Sequence, residues 1–262
     1  MRLHYPPSWA VRPNPMAAEL ERRALAWLGA DAAARIRPFA VGEMANWPFP
    51  FADEERAEVI TMLLALHVAG VDSGELDSAL ARGMSPEWMA RFAASAVGGG
   101  DHLARRRADM GTSRFIALVS YQLGWEVPGA VLADADMRAV EVAAGNCVAI
   151  GRDLFGFGGD ARECAPNLLT EVMAEFGDSV GDAFKWAAQM HTRQVRDVRR
   201  HETALVARYP EHPMLTAWFD ALHCMIYGFA QWHARAPKYS ATQELAGWTV
   251  QIAVSPACPD PF

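Results

Sequence analysis

The sequence has few cysteines, and none of them lie at a metal-binding spacing. Four cysteines occur in 262 residues, and no two of them form a CxxC pair. Cys147 and Cys224 fall inside apolar helical patterns, where cysteine usually packs as a small hydrophobic side chain. We therefore expect free thiols in a reducing compartment, and we expect neither a disulfide framework nor a thiolate metal site.

Long apolar runs and broad basic surfaces are also missing. The apolar run 59–71 is too short to span a bilayer and is interrupted by His67. The opening residues 1–15 contain four prolines and lack the apolar segment of a signal peptide. The net charge is −7, and only Arg105–Arg107 and residues 193–200 are locally rich in arginine. We expect a cytoplasmic protein that does not span a membrane and does not bind nucleic acid.

Signals of β structure are scarce. The chain has almost no alternation of apolar and polar residues and no Asn-Gly or Asp-Gly turn between apolar runs. Apolar residues recur instead at helical spacing, as at Val59, Ile60, Leu63 and Leu64. No repeat of fixed period is present. These patterns predict an all-α protein of about ten helices.

No internal linker divides the chain. We expect an extended, proline-rich arm at 1–15, a single all-α domain at 16–254 and a disordered tail at 255–262. The segment 243–254 is compatible with either a helix or a strand.

The most unusual stretch is Gly151–Glu163, GRDLFGFGGDARE, which follows a long apolar helical run. Arg152, Gly156 and Asp160 are four residues apart and share one face of a continuing helix. A carboxylate that enters a buried interior is costly unless a ligand or an ion satisfies it. The residues alone leave two interpretations open: a polar ligand-binding stripe, or a helix end that runs into a Gly-rich turn.

Taken in order, the landmarks between Asn14 and Tyr239 resemble a bacterial class I terpene synthase. The segment RPNP resembles the family's proline-rich arm, and LERRALAWL resembles its Trp-containing first helix. The aromatic segment WPFPF then comes before the helix and acidic segment ITMLLALHVAGVDSGELD, where the family carries its first metal motif. The resemblance implies a bundle or barrel of helices around an apolar pocket.

The first metal motif is degenerate. Asp72 matches its leading aspartate, Ser73 replaces the second, and Glu75 and Asp77 are possible trailing carboxylates. The resemblance implies that Asp72 and Asp77 hold Mg²⁺, a hard cation that takes oxygen ligands. The alternative is a capped helix end with solvated acids.

The second metal motif of the family is an Asn or Asp, a Ser or Thr and a Glu, each four residues apart. Arg152, Gly156 and Asp160 stand in its place, with Asp153 beside them. By resemblance, Asp153 and Asp160 are the candidate Mg²⁺ ligands here. Arg152 brings a fixed positive charge instead, and one possibility is that it replaces the charge of a metal ion.

Two further landmarks imply diphosphate binding. Arg106 and Asp109 match the family's diphosphate-sensing arginine and its linker acid. Lys238 and Tyr239 match its C-terminal Arg-Tyr pair, with lysine in place of arginine. A guanidinium gives bidentate hydrogen bonds to phosphate oxygens, whereas lysine donates without that fork. The resemblance assigns these four residues, together with Arg152, to catalysis.

The implied activity is ionisation and cyclisation of an isoprenoid diphosphate with release of pyrophosphate, as in secondary metabolism. Aromatic faces stabilise cations, although ordinary core packing is the alternative for each aromatic residue. The candidate residues of the substrate pocket are Trp47, Phe49, His67, Phe155, Phe157 and Trp232.

Two other functions stay open at this point. Only 34 positions separate Asp72 from Arg106, which predicts that about two helices of the family are missing and that an apolar wall is exposed. Such a protein would bind an apolar or isoprenoid ligand without catalysis, or form a homodimer through that wall. Alternatively, His67 would act as a general acid on a neutral substrate without metal.

Overall fold

A computed structural model describes residues 1–10, 12–70, 102–245 and 247–255. Helices dominate this part of the chain, and the all-α prediction is confirmed. The α-helices are α1 Ala17–Leu28, α2 Ala30–Ile36, α3 Val41–Asn46, α4 Glu54–Ala69, α5 His102–Asp109, α6 Thr112–Leu123, α7 Gly129–Leu132, α8 Ala135–Glu163, α9 Leu168–Phe176, α10 Val180–Arg208 and α11 Met214–His233.

The two longest helices, α8 and α10, have 29 residues each and pack along one another. Each begins at a side-chain cap. Asp134 accepts a hydrogen bond from the backbone N–H of Asp136 at 2.8 Å, and Ser179 accepts one from Asp182 at 3.2 Å. Such caps satisfy backbone donors that the first turn leaves unpaired. Helix α8 also contacts α5, α6, α9 and α11, and it is therefore the central element of the fold.

Helix α11 is apolar on nearly all sides and lies inside the bundle. A helix that is hydrophobic all round is stable only where other elements surround it. It contacts α3, α6, α8 and α10. At Gly228 it approaches the backbone of Trp47 and Pro48 so closely that a Cβ atom would lie 2.4–2.5 Å from their atoms.

Short β-strands lie near the two ends of the chain. The segment that was compatible with helix or strand forms β2 Thr242–Leu245, β3 Trp248–Gln251 and β4 Ala253–Ser255. β2 and β3 pair antiparallel around Gly247, whose φ of +83° favours glycine. β4 pairs in parallel with β1, Arg2–His4.

The N-terminal arm is packed onto the body. Trp9 is 1% exposed, and its ring stacks on His223 at 4.3 Å. The Tyr5 hydroxyl lies 3.0 Å from Nε2 of His191. Ser255 lies in β4, and the rest of the predicted tail, 256–262, falls outside the described residues.

No helix in the described part of the chain combines the length and apolar character that crossing a bilayer requires. Cys147, Cys164 and Cys224 are free thiols. Most of the segment between Asp72 and Arg106, where we predicted missing helices, lies outside the described ranges.

Candidate functional site

Helices α4, α6, α8 and α11 surround a cavity of about 210 Å³. Its walls are mainly aromatic and aliphatic, with a few polar groups among them. The lining residues are Phe39, Met44, His67, Val68, Asp109, Met110, Phe115, Val148, Arg152, Phe229, Trp232, His233 and Tyr239.

Aromatic rings contact one another along the cavity wall. The ring centroids of Phe115 and Phe229 are 4.7 Å apart, and Phe229 meets Trp232 nearly edge-on at 6.0 Å. His67 meets Phe115 edge-on at 5.3 Å. These contacts fix the orientation of the rings. A ligand bound in the cavity would therefore contact a rigid aromatic wall.

Two of the six predicted pocket residues, His67 and Trp232, line this cavity. Phe49 is fully buried behind Phe229, and Phe157 packs edge-on against Phe184 at 5.1 Å. The remaining two, Trp47 and Phe155, are also absent from the lining.

Four of the ring-bearing residues that line the cavity were not predicted from the sequence. Phe115, Phe229 and His233 lie within apolar helical patterns, and a period of 3.6 does not distinguish a cavity wall from a packed core. The fourth, Phe39, ends a short 3₁₀ helix, Arg37–Phe39.

Arg106 and Asp153 form a buried ion pair beside the cavity. Arg106 donates from Nε to Oδ2 at 2.8 Å and from Nη2 to Oδ1 at 2.6 Å. The Asp153 side chain is 0% exposed and also accepts from the backbone N–H of Leu168 at 2.8 Å. Buried charges are stable only when they are paired in this way.

Arg152 forms a second ionic contact along α8. Its Nη1 donates to Oδ1 of Asp153 at 3.1 Å, and its Nη2 donates to Oδ1 of Asp160 at 3.1 Å, two turns further along. Gly156 lies between them. A Cβ atom at this position would be 3.0 Å from Asp160 Oδ2 and 3.2 Å from Arg152 Nη1, so the missing side chain leaves room for the pair.

Asn167 completes the network. Its Nδ2 donates to Oδ2 of Asp160 at 2.8 Å and to the backbone carbonyl of Asp153 at 2.9 Å. Its Oδ1 caps α9 by accepting from the N–H of Leu169 at 2.9 Å. This role of Asn167 was not predicted, although an Asn directly before an apolar helix is a capping signal.

The residues at 152–160 do not fit a Mg²⁺ ion in this arrangement. The oxygens of Asp153 are bonded to Arg106, Arg152 and Leu168, and those of Asp160 to Arg152 and Asn167. A guanidinium cation already lies between the two carboxylates. Within the described ranges, no group of three His, Cys, Asp or Glu residues is placed to hold a metal ion.

The other predicted metal ligands, Asp72 and Asp77, lie outside the described residues. Magnesium binding by this chain stays a prediction.

The remaining predicted catalytic residues divide between two places. Asp109 and Tyr239 line the cavity, whereas Lys238 faces a separate depression beside Gly158 and Gly159. Asp109 is 61% exposed, and its Oδ2 lies 3.6 Å from Nη1 of Arg106. Burial raises the pKa of Tyr239 to about 12, partly opposed by the charge of Arg152. The phenol is therefore protonated at neutral pH.

Two histidines on the cavity wall are uncharged at neutral pH. Burial, and then the charge of Arg114, lowers the pKa of His67 to about 4. Burial and the charge of Arg152 lower the pKa of His233 well below its ordinary value. Neither imidazole is a protonated acid at pH 7, so the general-acid role considered for His67 is not supported.

The depressed pKa of His67 predicts that the fold loses stability in mild acid. The unfolded chain takes up a proton on this group below about pH 6.5, whereas the folded protein takes it up only near pH 4. This contribution to stability is therefore complete above pH 6.5 and is lost as pH falls toward 4. Urea denaturation at pH 7.5 and pH 5.0 measures it. We expect the loss to be smaller in His67→Gln, and an equal loss in both proteins would contradict the assignment.

Comparisons with known proteins agree with the fold. A model for "Terpene synthase family 2, C-terminal metal binding" matches residues 100–197, which include α5, α6, α8 and the ion network. No curated protein matches the sequence.

Solved terpene synthases share the fold. The chain is similar to linalool/nerolidol synthase from Streptomyces clavuligerus in complex with 2-fluorogeranyl diphosphate, at 17% identity and a TM-score of 0.72, covering 85% of this chain and 100% of that chain. It is also similar to a wild-type cucumene synthase, at 18% identity and a TM-score of 0.69, covering 86% and 98%. A hedycaryol synthase matches at 16% identity and a TM-score of 0.70, covering 87% and 96%.

The chain thus has the all-α fold of the bacterial class I terpene synthases. The resemblance noted from the sequence is confirmed by the family model and by these structures.

Proposed function

We propose that the protein is a divergent class I terpene synthase that ionises and cyclises an isoprenoid diphosphate and releases pyrophosphate. One observation carries the proposal. The guanidinium of Arg152 lines the same cavity as the rings of Phe115, Phe229 and Trp232. The cavity therefore offers a cationic group to the diphosphate of the substrate and aromatic rings to its hydrocarbon chain, which becomes a cation on ionisation.

The diphosphate would lie at the end of the cavity marked by Arg152, Asp109 and Tyr239. A guanidinium carries five N–H donors. Arg152 makes three hydrogen bonds to carboxylates and a further one to Tyr239. The protonated hydroxyl of Tyr239 lies beside it and is a further donor. Asp109 is exposed and only loosely paired with Arg106, so an arriving anion would displace it at little cost.

The hydrocarbon chain would lie along the aromatic wall. Ionisation breaks the allylic C–O bond, and the electron pair leaves with the diphosphate oxygen. Hydrogen-bond donors aimed at the departing oxygen stabilise the charge that develops there. The faces of Phe115, Phe229 and Trp232 stabilise the allylic cation.

The substrate would be a prenyl diphosphate whose hydrocarbon chain contacts the aromatic wall. We propose geranyl, farnesyl and geranylgeranyl diphosphates as the candidates, which differ in the length of that chain.

Pyrophosphate release from these three substrates, with and without Mg²⁺, tests the proposal. We expect Arg152→Gln to lower kcat by about 100-fold, because loss of one preorganised donor to a developing anion has about that effect. Arg138→Gln is the matched control, since Arg138 is an exposed arginine on the same helix, outside the cavity. Circular dichroism verifies that both variants are folded.

Absence of pyrophosphate release from all three substrates would reject the proposal. Saturable binding of a prenyl diphosphate without turnover would instead identify a non-catalytic isoprenoid-binding protein. Homodimer formation stays a prediction, which sedimentation analysis of the purified chain checks.

A further inference from the structure

We propose that Arg152 is a built-in replacement for a divalent cation, so that the face of α8 formed by residues 152–160 binds no metal ion. The inference deepens the proposed function, and it rests on that function only for the identity of the anion bound nearby. Any metal ion that assists the reaction would then be held elsewhere in the chain.

The positive charge of Arg152 lies between two carboxylates. The guanidinium of Arg152 donates to carboxylate oxygens of both Asp153 and Asp160, at 3.1 Å in each case. Asp153 is completely buried, and Asp160 is only 5% exposed. In a metal site, the metal ion is the cation that lies between the carboxylates. Here the guanidinium of Arg152 occupies that position.

Gly156, which lies between Arg152 and Asp160 along the helix, leaves room for their ion pair. At position 156 a Cβ atom would crowd both Arg152 Nη1 and Asp160 Oδ2. A serine there would add a hydroxyl oxygen in the space that the ion pair uses. The guanidinium of Arg152 and the absence of a side chain at position 156 therefore depend on each other. With both in place, the carboxylate of Asp160 is paired with Arg152, and position 156 supplies no oxygen ligand.

The positive and negative charges of the buried cluster are balanced. The buried cluster contains two guanidinium groups, Arg106 and Arg152, and two carboxylates, Asp153 and Asp160. A divalent cation would add two positive charges and would have to displace arginine from its hydrogen bonds. An arginine left buried without its partner is strongly unfavourable. The cluster therefore excludes a metal ion at this face.

Counting bound Mn²⁺ ions tests the inference directly. Mn²⁺ takes the same oxygen ligands as Mg²⁺ and is visible by electron paramagnetic resonance. The count is made at saturating inorganic pyrophosphate. We expect wild type and Asp160→Asn to bind the same number of ions per chain.

A matched pair of variants provides the converse test. In Arg152→Asn/Gly156→Ser, oxygens of Asn, Ser and Asp160 follow one another at four-residue spacing on one face. We expect this variant to bind one Mn²⁺ more than wild type. Adding Asp160→Asn should return the count to the wild-type value.

A second readout does not depend on metal. The change in Tm caused by Gly156→Ser should be less favourable in wild type than in the Arg152→Asn background, because only in wild type does serine crowd the ion pair. Equal effects in the two backgrounds would contradict the proposed coupling.

The inference is overturned if Asp160→Asn binds one Mn²⁺ fewer than wild type, or if the folded double variant gains no ion. If the double variant does not fold, the comparison of wild type with Asp160→Asn decides. These results are separate from the proposed function, which fails only if no prenyl diphosphate releases pyrophosphate.

Discussion

Replacement of Arg106 by glutamine is expected to lower the free energy of unfolding by about 3–5 kcal/mol, the usual cost of breaking a buried ion pair from one side. Arg106 makes two hydrogen bonds to Asp153, whose side chain has no contact with solvent. Glutamine would leave that carboxylate with only part of the positive charge that stabilises it. Urea denaturation at pH 7.5 measures the difference.

The neighbouring residue supplies the control. Arg105 has a side chain that is 49% exposed, and its Nη2 lies 3.5 Å from Glu171. Exposed ion pairs contribute about 0–1 kcal/mol, so Arg105→Gln should have a small effect. A loss below about 1 kcal/mol in Arg106→Gln would show that the Arg106–Asp153 pair is not closed in solution.

A double variant separates pairing from simple loss of a side chain. In Arg106→Gln/Asp153→Asn, neither partner is left as an unpaired buried charge. We expect its destabilisation to be smaller than the sum of the two single variants, because residues in one hydrogen-bonded network are not additive.

Replacement of Gly228 by alanine is expected to destabilise the protein by about 3 kcal/mol, near the upper end of the usual cost of overpacking. The new Cβ would lie 2.4 Å from the carbonyl carbon and oxygen of Trp47 and 2.5 Å from the nitrogen of Pro48. These are backbone atoms and cannot rotate away, so α11 must shift. Because α11 also carries Phe229 and Trp232, the shift should alter the cavity. Thermal unfolding and pyrophosphate release measure the two effects.

Gly159→Ala is the matched control. Gly159 also lies within a helix, but apart from its chain neighbours and the nearby backbone of that helix no atom lies within 4 Å of the position of its Cβ. Alanine there should stabilise the fold by about 0.5–1 kcal/mol, because glycine loses more conformational freedom on folding. Equal stability of the two variants would contradict the close approach at Gly228.

The candidate site was only partly predictable. The order of landmarks predicted site roles for Arg106, Asp109 and Tyr239. The structure places all three at or beside the cavity. The partner of Arg106 is Asp153, 47 positions later, and no local pattern links the two. Asn167 likewise joins the network from the start of another helix.

The aromatic residues show the same limit. Phe155 and Phe157 interleave with glycines in an unusual segment and were predicted to line the pocket. The cavity is lined instead by Phe115 and Phe229 from two ordinary apolar helices. Hydrophobic periodicity identifies the buried face of a helix, but a buried face packs equally well against side chains or around a cavity.

The sequence by itself determined that this protein is helical and that Arg152, Gly156 and Asp160 share one helix face, because periodicity and four-residue spacing are local properties of the chain. The order of its landmarks also determined the resemblance to terpene synthases. Only the tertiary structure decided that Asp153 is paired with Arg106 and that Asn167 bonds to Asp160. Such pairing depends on which buried charges meet in space, and their separation along the chain does not encode it.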